Sequence, residues 1–146
     1  MRIAFDLDNT LIRCNFNFPL EHPQRRWWAR VVRGEDLRQG IQETASFCRR
    51  HNHELWVYTT SYRSIWSIRL LFWLHGIWLH GVVNQQRHNR EVRVRCSKHP
   101  PGFGIDLLID DSEGVRLEGE RLGFRVLVVS PEDANWVAKV QQEISL

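Results

Sequence analysis

The sequence predicts a three-layer α/β/α domain of Rossmann-like type, built on a mostly parallel sheet, and three observations carry that prediction. Short apolar runs recur at Arg2–Asp8, Glu54–Tyr58, Ile105–Ile109 and Arg125–Val129. Segments with helical spacing of apolar residues lie between them, and this alternation buries a parallel sheet under helices. Acids and hydroxyls (Asp6, Asp8, Thr59, Asp110 and Asp111) gather where the strands end, at the rim where such sheets bind ligands.

In chain order, Arg2–Asp8 (RIAFDLD) reads as a buried strand that delivers two carboxylates at its C-terminal end. Residues 12–34 show no clear period. From Glu35, the positions Leu37, Ile41, Thr44, Ala45 and Cys48 recur at helical spacing, and His51-Asn52-His53 closes that helix. Glu54–Tyr58 is a second strand, followed by the polar Thr59-Thr60-Ser61. Ser64–His75 is a helix apolar nearly all round and stopped by Gly76, and Gly81–Asn84 is a short strand. Residues 85–104, polar and basic with Pro100-Pro101, read as an irregular basic loop. Ile105–Ile109 is a third strong strand running into Asp110-Asp111, and Gly114–Leu122 is a helix. After the strand Arg125–Val129, Ser130-Pro131-Glu132-Asp133 starts the final helix. Ser130 would be its N-cap, Pro131 its first residue, and the two acids would sit at its positive end. This helix runs to about Glu143.

With 146 residues, 42% hydrophobic and 25% charged, residues 1–146 fit one ordered globular domain and exclude a disordered chain. The most apolar stretch, Ile65–Val83, is broken by Arg69, His75, Gly76, His80 and Gly81. It therefore falls short of the roughly 18–20 residues that cross a bilayer. Acids in MRIAFDLDNT occupy the place of a signal peptide's apolar segment, so a cytoplasmic location is expected. Cys14, Cys48 and Cys96 are odd in number and far apart, which suits neither a disulfide framework nor a zinc site. The seven histidines likewise lack a ligand spacing. Residues 1–100 carry 16 of the 20 Lys+Arg but only 8 of the 17 Asp+Glu, so this part would concentrate an anionic ligand. Only Lys98 and Lys139 are lysines.

Four groups at strand ends belong together. Asp6 and Asp8 lie two residues apart on a strand and share a face, where two carboxylates suit one metal and one proton transfer. Thr59 closes the second strand, Lys98 precedes the third, and Asp110-Asp111 ends it. In this order the four resemble the motifs of the haloacid dehalogenase (HAD) superfamily, in its capless, phosphatase-like form, and the resemblance covers most of the chain. It implies that Asp6 is a nucleophile forming an aspartyl-phosphate and that Asp8 is the general acid and then base. It also implies that Thr59 binds a phosphoryl oxygen and that Lys98 neutralises charge on the transferring group. Mg²⁺ would be held by Asp110 and Asp111 with Asp6 and the Asp8 backbone carbonyl, while Asn9 and Thr60 would be substrate contacts. The superfamily's ion pumps lack an acid at the Asp8 position and its phosphatases keep one, so the resemblance implies a phosphatase.

Residues 12–34 and 76–93 are too short to hold a cap domain, so the site would be open and suited to a bulky or macromolecular phosphorylated substrate. The segment Trp56–Ser61 is similar to the second motif of capless phosphoprotein phosphatases, which favours a phosphoprotein. Arg25–Arg33, where the family places a flap, interleaves arginine and tryptophan. Three readings fit it: tryptophans in the core with arginines in water, a phosphate-recruiting patch including Arg26 and Arg30, or a nucleic-acid surface. The last supports an alternative phosphatase for nucleic-acid ends or nucleotides, and a non-catalytic Mg²⁺-binding regulatory module is a further alternative. The Trp-rich helix 64–75, with Ile65, Trp66, Phe72 and Trp73, is expected to pack on the sheet. Its apolar surplus leaves a face for a homo-oligomer contact. No membrane partner is expected.

Overall fold

A computed structural model of the chain describes residues 1–25, 27–28 and 35–146. Its strands are β1 (Arg2–Phe5), β2 (Leu20–Glu21), β3 (Leu37–Arg38), β4 (Glu54–Tyr58), β5 (Gly81–Val83), β6 (Leu107–Asp110) and β7 (Val126–Val128). The helices among the described residues are α1 (Ile41–Arg50), α2 (Ile65–Leu74), α3 (Gln85–Glu91), α4 (Glu113–Leu122) and α5 (Trp136–Ser145), with a 3₁₀ turn at Pro100–Phe103.

Five strands form one parallel sheet in the order β5-β4-β1-β6-β7. Ile3 pairs with Leu55 on one side and Leu107 on the other, so β1 is central. The chain leaves β1, builds β4 and β5 outward, then returns to build β6 and β7 on the opposite side. The order therefore reverses at β1, which makes the C-terminal ends of β1, β4 and β6 the natural crevice.

Strand alternation supplies two cores. Ile3, Phe5, Leu55, Val57, Leu107 and Ile109 face α1, α2 and α5, whose Ile41, Cys48, Phe72, Trp136 and Val140 complete that layer. Ala4, Trp56, Tyr58 and Leu108 face the other way onto Phe103, Ile105 and Val115. Gly81 lets β5 approach β4, since a Cβ there would lie 2.3 Å from the Trp56 ring. The result is the helix-covered parallel sheet expected from the sequence. No cap domain is inserted among the described residues, and none of their helices is long and apolar enough to cross a membrane.

Several local expectations are corrected. The helix expected from Glu35 starts at Ile41, because Gly40 adopts φ 102 and breaks it. Leu37–Arg38 instead pairs antiparallel with Leu20–Glu21 as a small hairpin over the rim. That hairpin supplies the cap of α1, since the Glu21 carboxylate accepts from Gly40 N at 2.6 Å and Gln42 N at 3.3 Å. Residues 85–91 are helical rather than loop, nucleated by the Asn84 side chain accepting from Arg87 N at 2.9 Å.

Ser130–Asp133 is a turn, and the last helix begins at Trp136. The carbonyls of Ser130, Pro131 and Asp133 all accept from the Arg38 guanidinium at 2.9–3.2 Å, which removes them from a helical ladder. In the Trp-rich helix Phe72 is buried, but Trp66 points outward. Trp27 and Trp28 are 67% and 49% exposed, so these two do not enter the core.

Candidate active site

β1 ends at Phe5, and the Asp6 amide continues its ladder by donating to Ile109 O at 2.9 Å. The chain then turns sharply. Leu7 O accepts from the amides of Thr10, Leu11 and Ile12, while Asn9 sits at φ 64 and its side-chain oxygen accepts from Asn15 N at 2.8 Å. This turn leaves the Asp6 carboxylate buried at the rim, directly beside the end of β6.

There the sequence-distant groups converge. Lys98 Nζ lies 2.6 Å from Asp6 Oδ1 and 2.5 Å from Asp110 Oδ2, with all three residues buried. Thr10 Oγ1 lies 3.3 Å from Asp6 Oδ2 and 3.2 Å from Asp111 Oδ1. Ser112 N donates to Asp110 Oδ1 at 2.9 Å, which orients that carboxylate as α4 begins. Oxygens of Asp6, Asp110 and Asp111 all fall within 4.8 Å of one another.

Electrostatics follow from burial. Desolvation pushes Asp6 up to about 6, against the pull of the Lys98 ammonium and with the help of Asp110. Burial alone would discharge Lys98, but Asp6 and Asp110 outweigh it and hold the lysine charged, above its ordinary value. Asp111 is also raised, by burial and then by Asp110. Three carboxylates around one ammonium leave negative charge to be compensated. Hard oxygen donors so arranged suit a divalent cation such as Mg²⁺. Asp6, Asp110 and Asp111 are the residues that could hold it.

The other expected residues stand around this centre. The Asp8 side chain faces Arg63 at 3.6 Å, and Arg63 also pairs with Glu35 at 2.8 Å. Thr59 is buried at the end of β4. Its amide donates to Val83 O, and its hydroxyl accepts from Ser61 N at 3.1 Å. The N-cap of α2 is Ser64, whose side chain accepts from Ser67 N. Thr60 is exposed beside it. Asn9 spends its side-chain oxygen on the turn. Arg26 and Arg30 lie outside the described residues.

Sequence reading passed over Thr10, Arg63 and Arg38. Thr10 could have been found from its place four residues after Asp6 inside the tight turn. Arg63 had no signal beyond following β4. Arg38 was hidden in a misread helix; it is buried and donates to Thr10 O at 3.3 Å, bracing the same turn.

No protein-family model matches the sequence, and no curated protein matches it at the level of sequence. In fold, the chain is similar to a HAD-superfamily hydrolase, subfamily IA, variant 1, from Geobacter sulfurreducens. That likeness has a TM-score of 0.54 and 19% identity, and it covers 87% of this chain and 88% of the other. At that identity the likeness is one of fold. The chain thus shares the fold of that hydrolase.

Proposed function

We propose that the chain is a Mg²⁺-dependent phosphomonoester hydrolase working through an aspartyl-phosphate. The observation that carries this reading is Lys98 Nζ seated between Asp6 and Asp110 at the point where the strand order reverses. An ammonium and three carboxylates built into one crevice suit a dianionic phosphoryl group that must be drawn onto a carboxylate.

In the first step an Asp6 oxygen attacks phosphorus, the bond to the leaving-group oxygen breaks, and Asp8 gives that oxygen a proton. In the second, Asp8 takes a proton from water, the water oxygen attacks phosphorus, and the Asp6 carboxylate departs with inorganic phosphate released. Lys98 offsets charge on the nucleophile and the phosphoryl oxygens throughout. The buried Thr59 would donate its hydroxyl to a phosphoryl oxygen, and the exposed Thr60 would contact the substrate. Mg²⁺, when bound at Asp6, Asp110 and Asp111, would supply further charge neutralisation at the phosphoryl group.

A site with no cap among the described residues favours a bulky phosphorylated substrate such as a phosphoprotein. The test is phosphate release from a diverse phosphoester panel that includes phosphopeptides, with Mg²⁺ and with chelator. Turnover that requires the metal and disappears in Asp6→Asn supports the reading. Turnover that persists in that variant refutes it.

A further inference from the structure

The proposed chemistry needs an ammonium held against Asp6, yet Lys98 sits on residues 92–99, which form neither helix nor strand. A lysine side chain is a flexible four-carbon stem, so its nitrogen meets two carboxylates reproducibly only if the backbone beneath it is fixed. Here both chain neighbours of Lys98 are tied down.

On one side, Ser97 N donates to Glu118 Oε1 at 3.0 Å and Oε2 at 3.2 Å, and Ser97 Oγ donates to Oε2 at 2.5 Å. On the other side, His99 N donates to the Tyr58 hydroxyl at 2.9 Å. That hydroxyl also hydrogen-bonds His88 Nδ1 at 2.5 Å. Tyr58 is the last residue of β4, immediately before Thr59. Glu118 lies on α4, which starts directly after Asp110-Asp111. The clamp therefore references Lys98 to the two elements that carry the rest of the cluster.

We propose that Tyr58 and Glu118 are positioning residues for Lys98, holding the backbone on either side so that its ammonium bridges Asp6 and Asp110. Only the kinetic readout of this proposal rests on the phosphatase reading.

Tyr58→Phe and Glu118→Gln, singly and together, test it; Glu118 lies near the surface and its variant keeps the core intact. In activity, kcat should fall about 10- to 100-fold in the double variant with KM within about twofold, the signature of a misplaced charge rather than a lost binding contact.

A second readout needs no activity. Brief acylation with an N-hydroxysuccinimide ester, read by peptide mass spectrometry, reports the only two lysines, Lys98 buried and Lys139 exposed. Lys98 should be protected in the wild type and become reactive in the double variant. Lys139 reactivity should stay constant, and the buried Cys48 thiol should stay closed to thiol reagents. Lys98 as protected in the variant as in the wild type overturns the proposal, and so does its exposure only together with Cys48. If the wild type hydrolyses no phosphoester, the functional reading fails while the labelling still decides the clamp.

Discussion

Lys98 Nζ lies 2.6 Å from Asp6 Oδ1 although 92 residues separate the two in the chain, and both side chains are buried. Burial, the largest influence, raises Asp6 to about 6; Lys98 opposes it and Asp110 adds to it. A raised folded-state value means that Asp6 contributes stability fully below its ordinary 3.8 and loses it as pH rises through about 6. In metal-free buffer this contribution is on the order of 2–3 kcal/mol. Urea unfolding of the wild type and Asp6→Asn between pH 4 and pH 7 should show that the variant lacks this slope. Parallel slopes would remove the burial argument.

Divalent metal should relieve the same uncompensated charge. At pH 7, Mg²⁺ at about 100 times its dissociation constant should stabilise the folded chain by about 2.7 kcal/mol, read as a rise in Tm. Asp110→Asn should abolish that increment, because Asp110 is one of the three clustered carboxylates. An undiminished rise in the variant would move the metal elsewhere.

Arg38 shows how the rim is braced. Its buried guanidinium donates to four backbone carbonyls, those of Thr10, Ser130, Pro131 and Asp133, and lies between the Phe18 and Trp136 rings. Lysine cannot reach all four carbonyls from one point. Arg38→Lys should therefore cost about 1–3 kcal/mol in urea unfolding, through carbonyls left without their donor. A cost below 1 kcal/mol, on the scale of a surface change, would contradict this role.

We propose that a second copy of the chain covers the outer face of α2 and the residues just after it. Trp66, Trp73 and Trp78 are 82%, 37% and 71% exposed, about 450 Å² of tryptophan surface. That exceeds half of the roughly 800 Å² that each partner contributes to a standard interface. Of the arginines there, Arg69 donates to Leu79 O at 2.6 Å, while the exposed Arg25 stacks on Trp73 and donates to its carbonyl. Light scattering at micromolar concentration should report a dimer that Trp66→Glu converts to monomer. A monomeric wild type would exclude this contact.

The sheet and the places of the candidate residues along it were legible because they depend on local pattern. Ile3–Phe5, Leu55–Tyr58 and Leu107–Ile109 are apolar throughout, as strands covered on both faces must be. Asp6, Thr59 and Asp110 stand where those runs stop. What the pattern concealed was long-range. Leu37 fits a helical period and is buried as a helix would bury it, but Gly40 and the Glu21 carboxylate assign it to a hairpin. Ser130-Pro131-Glu132-Asp133 has the composition of a helix start, yet a buried arginine 92 residues earlier claims its carbonyls. The Lys98 clamp is equally invisible, since Tyr58 and Glu118 read as an ordinary strand tyrosine and an ordinary helix acid.

In the proposed mechanism Asp6 itself carries the phosphoryl group. Rapid mixing with a phosphoester that turns over, followed by borohydride quench, converts an acyl phosphate at that carboxylate to the alcohol, and peptide mass spectrometry locates it. Homoserine at position 6, formed only with substrate and lost in Asp6→Asn, is the predicted result. Phosphate release with position 6 unmodified and the reduction found on another carboxylate would contradict it.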